Sequence, residues 1–201
     1  KETQVSDSVN ILKLYKLDYG YFFYPAQFWA HKNHFRIIEA VKLLHQEDTQ
    51  CRVVFVGRDK GNYDFLDRLI RGYGLSKHIK SLGFIPAEHM RVLYENCQAV
   101  IIPTYFGSTN LPPLEAWFLG KPLIYSKLFS EQAGNAALFI DPDDANSIAH
   151  AMKSMLDETI SDKFIKNGFK RLQEITIIKK KAEEQLISRI IKFEKKRQCW
   201  N

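Results

Sequence analysis

Residues 99–126 read AVIIPTYFGSTNLPPLEAWFLGKPLIYS, and this stretch decides the fold. The apolar run at 99–103 is a strand closed by proline, 111–120 is a helix, and 121–126 is a second strand. Two strands joined through a helix form the repeating unit of a parallel sheet. Between the first strand and the helix lie small polar residues, then Pro112 and Pro113. Proline has no N–H and holds φ near helical values. The pair therefore starts the helix and leaves the backbone N–H groups around Thr109, Asn110 and Leu111 as the free donors. A helix start of this kind suits a phosphate. Gly107 and Ser108 are small enough for a ligand to approach the backbone closely. Glu115, one turn in, offers a carboxylate that accepts two hydroxyl hydrogen bonds, as from a ribose diol. Together these describe a nucleotide. The same residues also make an ordinary good helix start, and spacing alone does not separate the two readings.

The unit repeats outward from this stretch. Strands are expected at 21–26, 51–57, 79–84 and 136–141, mostly short apolar runs, with 79–84 a short strand. Helices are expected over 34–46 (capped by Asn33), 62–74 (closed by Gly74), 86–97 and 144–156. Two basic helices are expected at about 159–173 and 176–198, and a short helix near VNILKLYKL at the start. The fold class is α/β, a parallel sheet of about six strands with helices on both faces. Ligands of such sheets sit beyond the carboxyl ends of the strands. Three loops are expected on that edge: PAQFWAHKNH (25–34), GRDKGN (57–62) and the loop after the strand at 99–103. They bring Lys32 and, after Gly57, Arg58. On the residues alone His31 and Lys32 more often belong to a solvated loop than to a site, and Phe28 and Trp29 read as loop packing. His31 and His34 have no carboxylate or cysteine companion at ligand spacing, so no metal is expected.

The bulk numbers fit one sizeable soluble domain: 201 residues, 45% hydrophobic and 26% charged. Cys51, Cys97 and Cys199 are far apart and odd in number, which fits a reducing, cytoplasmic setting. No apolar run reaches the roughly 18 residues of a membrane span, and the polar start is unlike a signal peptide. The net charge of +6 is uneven: residues 163–201 hold 12 Lys/Arg against 4 Asp/Glu, while the rest is slightly acidic. A basic tail on an acidic fold argues against a nucleic-acid-binding domain. There is no G-x-G-x-x-G after a strand, no P-loop and no G-x-S-x-G elbow.

Several segments together resemble the C-terminal, donor-binding domain of family 4 glycosyltransferases, retaining enzymes of the GT-B architecture. YFFYPAQFWAHKNH resembles the family's first strand and its Lys-Asn loop, and VVFVG its second strand. LGFIPAEHMRVLYENCQAVIIPTYFGSTNLPPLEAWFLGKPLIYS resembles the core signature, and EQAGNAALFIDPDDANSIAHAM the stretch after it. The resemblance spans about residues 11–175. It implies a Rossmann-like sheet, one half of a GT-B fold. It implies that Lys32 binds the donor phosphates and Glu115 the ribose, the two residues with catalytic roles. Backbone near Thr109, Asn110 and Leu111 holds the distal phosphate. The base falls to Gly57, Arg58, Phe84 and Ile85, and the donor sugar to Gly107, Ser108 and Thr109. No cofactor is implied beyond a nucleoside diphosphate sugar as co-substrate, and no metal. Lys32 and the helix dipole would stabilise the leaving diphosphate.

Two positions depart from the family pattern. Gly107 stands where a glutamate holds the donor sugar, and Gln27 where an arginine holds a phosphate. The expected partners are a nucleoside diphosphate sugar, a saccharide or lipid-linked acceptor, and an N-terminal acceptor domain missing from this chain; no nucleic acid is expected. Residues 1–18 are expected to be the interdomain linker, 19–175 the donor-binding domain and 176–201 a basic C-terminal helix. A chain of this extent would bind nucleotide sugar without turnover by itself. The basic tail suits either a docked helix or peripheral contact with anionic lipid at the inner face of the membrane. A non-catalytic sugar-nucleotide-binding module is the alternative, and Gly107 is its main support.

Overall fold

The computed structural model of the chain describes residues 9–18, 20–107 and 111–198. A helix over 9–14, α1, sends Leu12 into the core. Six parallel strands follow, each leading into a helix: β1 (Tyr21–Pro25), β2 (Val53–Val56), β3 (Ile79–Ser81), β4 (Cys97–Ile102), β5 (Leu123–Ser126) and β6 (Leu138–Ile140). The helices are α2 (His34–Gln46), α3 (Tyr63–Gly72), α4 (Ala87–Glu95), α5 (Leu111–Phe118), α6 (Ser130–Ala133), α7 (Ala145–Ser154) and α8 (Glu158–Gln198). None of the described helices is long and apolar enough to cross a membrane.

The strand order is β3-β2-β1-β4-β5-β6. The chain runs outward from β1 in one direction, then crosses back and runs outward from β4 in the other. The loops after β1 and β4 therefore diverge, and the crevice between them is where such sheets take ligands. β1 pairs with β2 on one side and β4 on the other, and Tyr21, Phe22, Phe23 and Tyr24 are all buried. That is why its sequence is a continuous apolar run with no alternation. Helices cover the sheet on both faces: α2 packs with α3 and α7, and α5 packs with α8.

The sheet and α2 stand close to where the sequence places them, and two expectations fail. The two basic helices expected at the C-terminal end are one helix of 41 residues. No glycine or proline lies between Gln173 and Thr176 to break it. Asn33 stands at the N-cap position of α2, but its backbone is left-handed (φ 61°) and its side chain makes no cap hydrogen bond. Its amide instead donates to the carbonyls of Pro103 (3.1 Å) and Pro142 (2.8 Å).

α8 docks by its first half. Gly168 packs against Trp117 of α5 so tightly that a Cβ there would lie 2.5 Å from the indole Cδ1. Trp117 is buried and its Nε1 donates to the Ala136 carbonyl at 3.0 Å. Beyond Thr176 every described residue is exposed, including Ile178, Leu186, Ile190 and Phe193.

Candidate nucleotide-sugar site

The loops that follow β1, β2, β4 and β6 are tied together at one sheet edge. Asn33 bridges the loops after β4 and β6, as described. The His31 carbonyl accepts from Tyr105 N (3.0 Å) and from Thr104 Oγ1 (3.2 Å). Phe28 N donates to the Arg58 carbonyl (3.0 Å), and Phe28 forms a parallel bridge with Asp59. The β1 loop crosses Gly57 with no room for a side chain: a Cβ would lie 2.2 Å from the Ala26 carbonyl oxygen. Glycine is required at 57 by this close approach.

Between the loops after β1 and β4 lies a cleft of about 300 Å³. Gln27, Trp29, His31 and Lys32 line one side, with Ile102 at the end of β4 and Pro112 in the first turn of α5. Lys32 ends a short 3-10 turn, Ala30–Lys32, and its carbonyl accepts from the Tyr24 hydroxyl at 2.7 Å. Its ammonium donates to the Phe106 carbonyl at 3.2 Å. Burial pulls its pKa below the ordinary lysine value. Among the described residues no carboxylate pairs with it. A half-desolvated cation without a counter-charge, beside a helix start, is a site that welcomes an anion.

Glu115 does not line this cleft. It lies on the exposed side of α5, where its Oε2 accepts from the Tyr94 hydroxyl at 2.6 Å. Tyr94 is buried, and burial, then the Glu115 charge, pushes its pKa well up. The phenol stays a donor, and it fixes the carboxylate while leaving Oε1 without a protein partner among the described residues. No pattern in the sequence marks Tyr94, because its role arises from a contact across 21 positions.

Gly57, Arg58 and Phe84 gather beside the next loop. Gly57 N donates to the Gly83 carbonyl (2.9 Å), and the Arg58 guanidinium lies 4.3 Å from the Phe84 ring centre. Phe84 is 66% exposed, whereas Ile85 is 4% exposed and belongs to the core, so only its backbone could meet a ligand. Leu111, the first residue of α5, is exposed, and Gly107 is half-exposed. Ser108, Thr109 and Asn110 lie outside the described residues. Phe28 is buried, in keeping with a packing role, but Trp29 lines the cleft and is 43% exposed.

The two histidines of the first loop part company. His31 stays at the rim, where burial and the Lys32 charge lower its pKa. His34 is fully buried among Tyr24 (4.6 Å between ring centres), Phe28 (4.7 Å) and Phe55 (5.0 Å). Among the described residues neither of its ring nitrogens has a hydrogen-bond partner. Burial drives its pKa from 6.5 down to about 3; the nearby Ala26 carbonyl opposes this without forming a hydrogen bond of normal geometry. Among the described residues no three His, Cys, Asp or Glu side chains converge as metal ligands would. The folded chain holds His34 neutral where the unfolded chain protonates it. The stability this confers is present above pH 6.5 and is lost as pH falls from there toward about 3, at about 1.4 kcal/mol per pH unit within that window. His34→Phe removes the proton site while keeping an aromatic ring. Urea unfolding at pH 7 and pH 4.5 should show the variant gaining on the wild type as pH falls; parallel losses would refute this role.

Comparison with known proteins bears on what this edge does. The family model for group 1 glycosyl transferases matches residues 13–171. The Escherichia coli O-antigen chain mannosyltransferase B is 29% identical over 160 residues, 77% of this chain and 42% of that protein. The chain thus spans less than half of that relative. Among solved structures, Anabaena Alr3699/HepE in complex with UDP-glucose aligns with TM-score 0.73 at 19% identity, over 90% of this chain and 53% of that one. The C-terminal domain of the group 1 family protein LpcC from Francisella tularensis aligns with TM-score 0.70 at 20% identity, over 82% of this chain and 90% of that domain.

Proposed function

The chain belongs to the group 1 glycosyl transferases, and from that premise we propose that it is the donor-binding half of a retaining glycosyltransferase. The reaction is transfer of a hexose from a nucleoside diphosphate sugar to a saccharide or lipid-linked acceptor. The observation that carries this reading is the cleft at the point where strand order reverses, with Lys32 on one wall and the start of α5 on the other. The diphosphate sits there, and Lys32 with the Leu111 N–H at the start of α5 stabilises the charge that develops on it as the sugar departs. This chemistry calls on no metal. Glu115, set by Tyr94, takes the ribose hydroxyls, and the Arg58–Phe84 pair flanks the base.

The mannosyltransferase name of the Escherichia coli relative makes mannose the first sugar to test, in the building of a surface polysaccharide. The bound UDP-glucose of the Anabaena structure supports a nucleotide sugar as the ligand class. The chain spans 42% of the Escherichia coli relative, and on this reading acceptor binding falls to the other half of such an enzyme, the donor-binding half by itself holding donor without turnover. The basic distal half of α8 is the part suited to an anionic membrane surface at the cytoplasmic face, where lipid-linked acceptors are held.

The test is calorimetric titration of the chain with UDP, GDP, ADP and dTDP, alongside Glu115→Ala. One nucleotide should bind with Kd on the order of 0.1–1 mM, and the variant should weaken it at least tenfold. Absence of binding by all four at several millimolar would overturn the reading.

A further inference from the structure

Trp29 exposes 43% of its surface, and Phe106 exposes 68%. The two flank His31, which lines the cleft with Trp29. The His31 ring stacks with the Trp29 indole (6.1 Å between centres, 23° between planes), and Phe106 meets His31 edge-on (6.1 Å, 80°). The indole is held in place: its Nε1 donates to the Gln27 Oε1 at 3.1 Å. The Lys60 ammonium lies 5.6 Å from its ring centre on an exposed, flexible stem, so it is readily displaced. Three neighbouring rings beside a cleft, two of them openly exposed, are an unusual use of aromatic surface unless something covers them.

We infer that the Trp29–His31–Phe106 rim is a stacking platform for the pyranose ring of the donor. This rests on the donor-binding reading above. Glu115, proposed for the ribose, lies one turn into α5 and outside the cleft. Phe106, whose carbonyl the Lys32 ammonium contacts, belongs to the aromatic rim. A diphosphate between them has nucleoside on the first side and sugar on the second. The adjoining stretch 103–111 has no charged side chain with which to grip sugar hydroxyls. A pyranose presents an apolar face of axial C–H bonds, and these pack on an aromatic ring with water excluded from both. His31 serves as a neutral ring here, since burial and Lys32 disfavour its protonation. Trp29 and Phe106 thereby become determinants of which sugar is held, independently of the nucleotide.

The test compares the chain with the Trp29→Ala/Phe106→Ala double variant, using UDP-glucose, GDP-mannose, UDP and GDP as probes. Saturation-transfer NMR reads which ligand protons touch the protein, and titration reads affinity. The pyranose protons of the bound nucleotide sugar should saturate strongly in the wild type and lose that signal in the double variant. Affinity for that nucleotide sugar should fall about fivefold, a clearly larger loss than that for the matching free diphosphate. Trp29→Phe, which keeps a ring, should retain most of the signal. Unsaturated pyranose protons in the wild type overturn the platform, as does a parallel loss for sugar nucleotide and free diphosphate. In either case diphosphate binding still upholds the donor-site reading; absence of all binding overturns both.

Discussion

Lys32→Ala should lower the affinity of the chain for a nucleoside diphosphate at least tenfold while leaving affinity for the bare nucleoside unchanged. The ammonium is half-buried, has no carboxylate partner among the described residues, and rests against a single carbonyl, that of Phe106. Binding a diphosphate would therefore cost it no ion pair. A charge-assisted hydrogen bond in a partly desolvated cleft contributes about 1.5–3 kcal/mol, which is the source of the tenfold or greater loss. Lys60, exposed on the neighbouring loop, is the control: Lys60→Ala should shift affinity by less than about threefold. The measurement is parallel titration of both variants with UDP and uridine, or with GDP and guanosine if the purine binds. Equal losses in the two variants would mean that only general positive charge matters. In a full-length chain with the proposed transferase activity, the same substitution should cut turnover by about 100-fold or more, the size expected when a donor to developing charge is removed.

Trp117→Ala should destabilise the fold by about 3–5 kcal/mol. The indole is 1% exposed, fills the space under Gly168 of α8, and donates to the Ala136 carbonyl. Truncation leaves a large cavity, and a buried carbonyl without its donor. Phe118, the next residue, is 72% exposed, and Phe118→Ala should cost no more than about 0.5 kcal/mol. Urea unfolding followed by circular dichroism compares the two. A loss below about 1.5 kcal/mol at Trp117 would show that α8 and α5 are not packed as described.

Five of the six strands were legible as short apolar runs, because a sheet buried on both faces demands them, while the edge strand Ile79–Ser81, with Lys80 and Ser81 half-buried, lacks that pattern. Their ends were less so. The run at 79–84 stops being strand at Ser81, because Gly83 turns the chain at φ 66°. β4 starts earlier than its apolar core, at Cys97, because the strand begins as soon as α4 ends. Lys32 and the start of α5 meet at the cleft; each also reads as an ordinary loop lysine or helix start, and it is the family resemblance that singles them out. Tyr94 and the tether made by Asn33 were not legible, since each acts across a distance the local sequence does not encode. An asparagine before a helix has the same letters whether it caps the helix or ties two loops together. Trp29 next to Phe28 posed a similar problem: one ring turns inward and the other outward, and only the strand-end geometry separates them.

The Trp117–Gly168 contact also bears on residues it never touches. Starting a helix is the costly step, and extending one that already exists is nearly free. The docked first half of α8 thus acts as a seed for the exposed stretch 176–198, whose isolated sequence would not repay its own nucleation. Helicity far out along that basic rod is borrowed from the core, so its order rises and falls with the packing under α5.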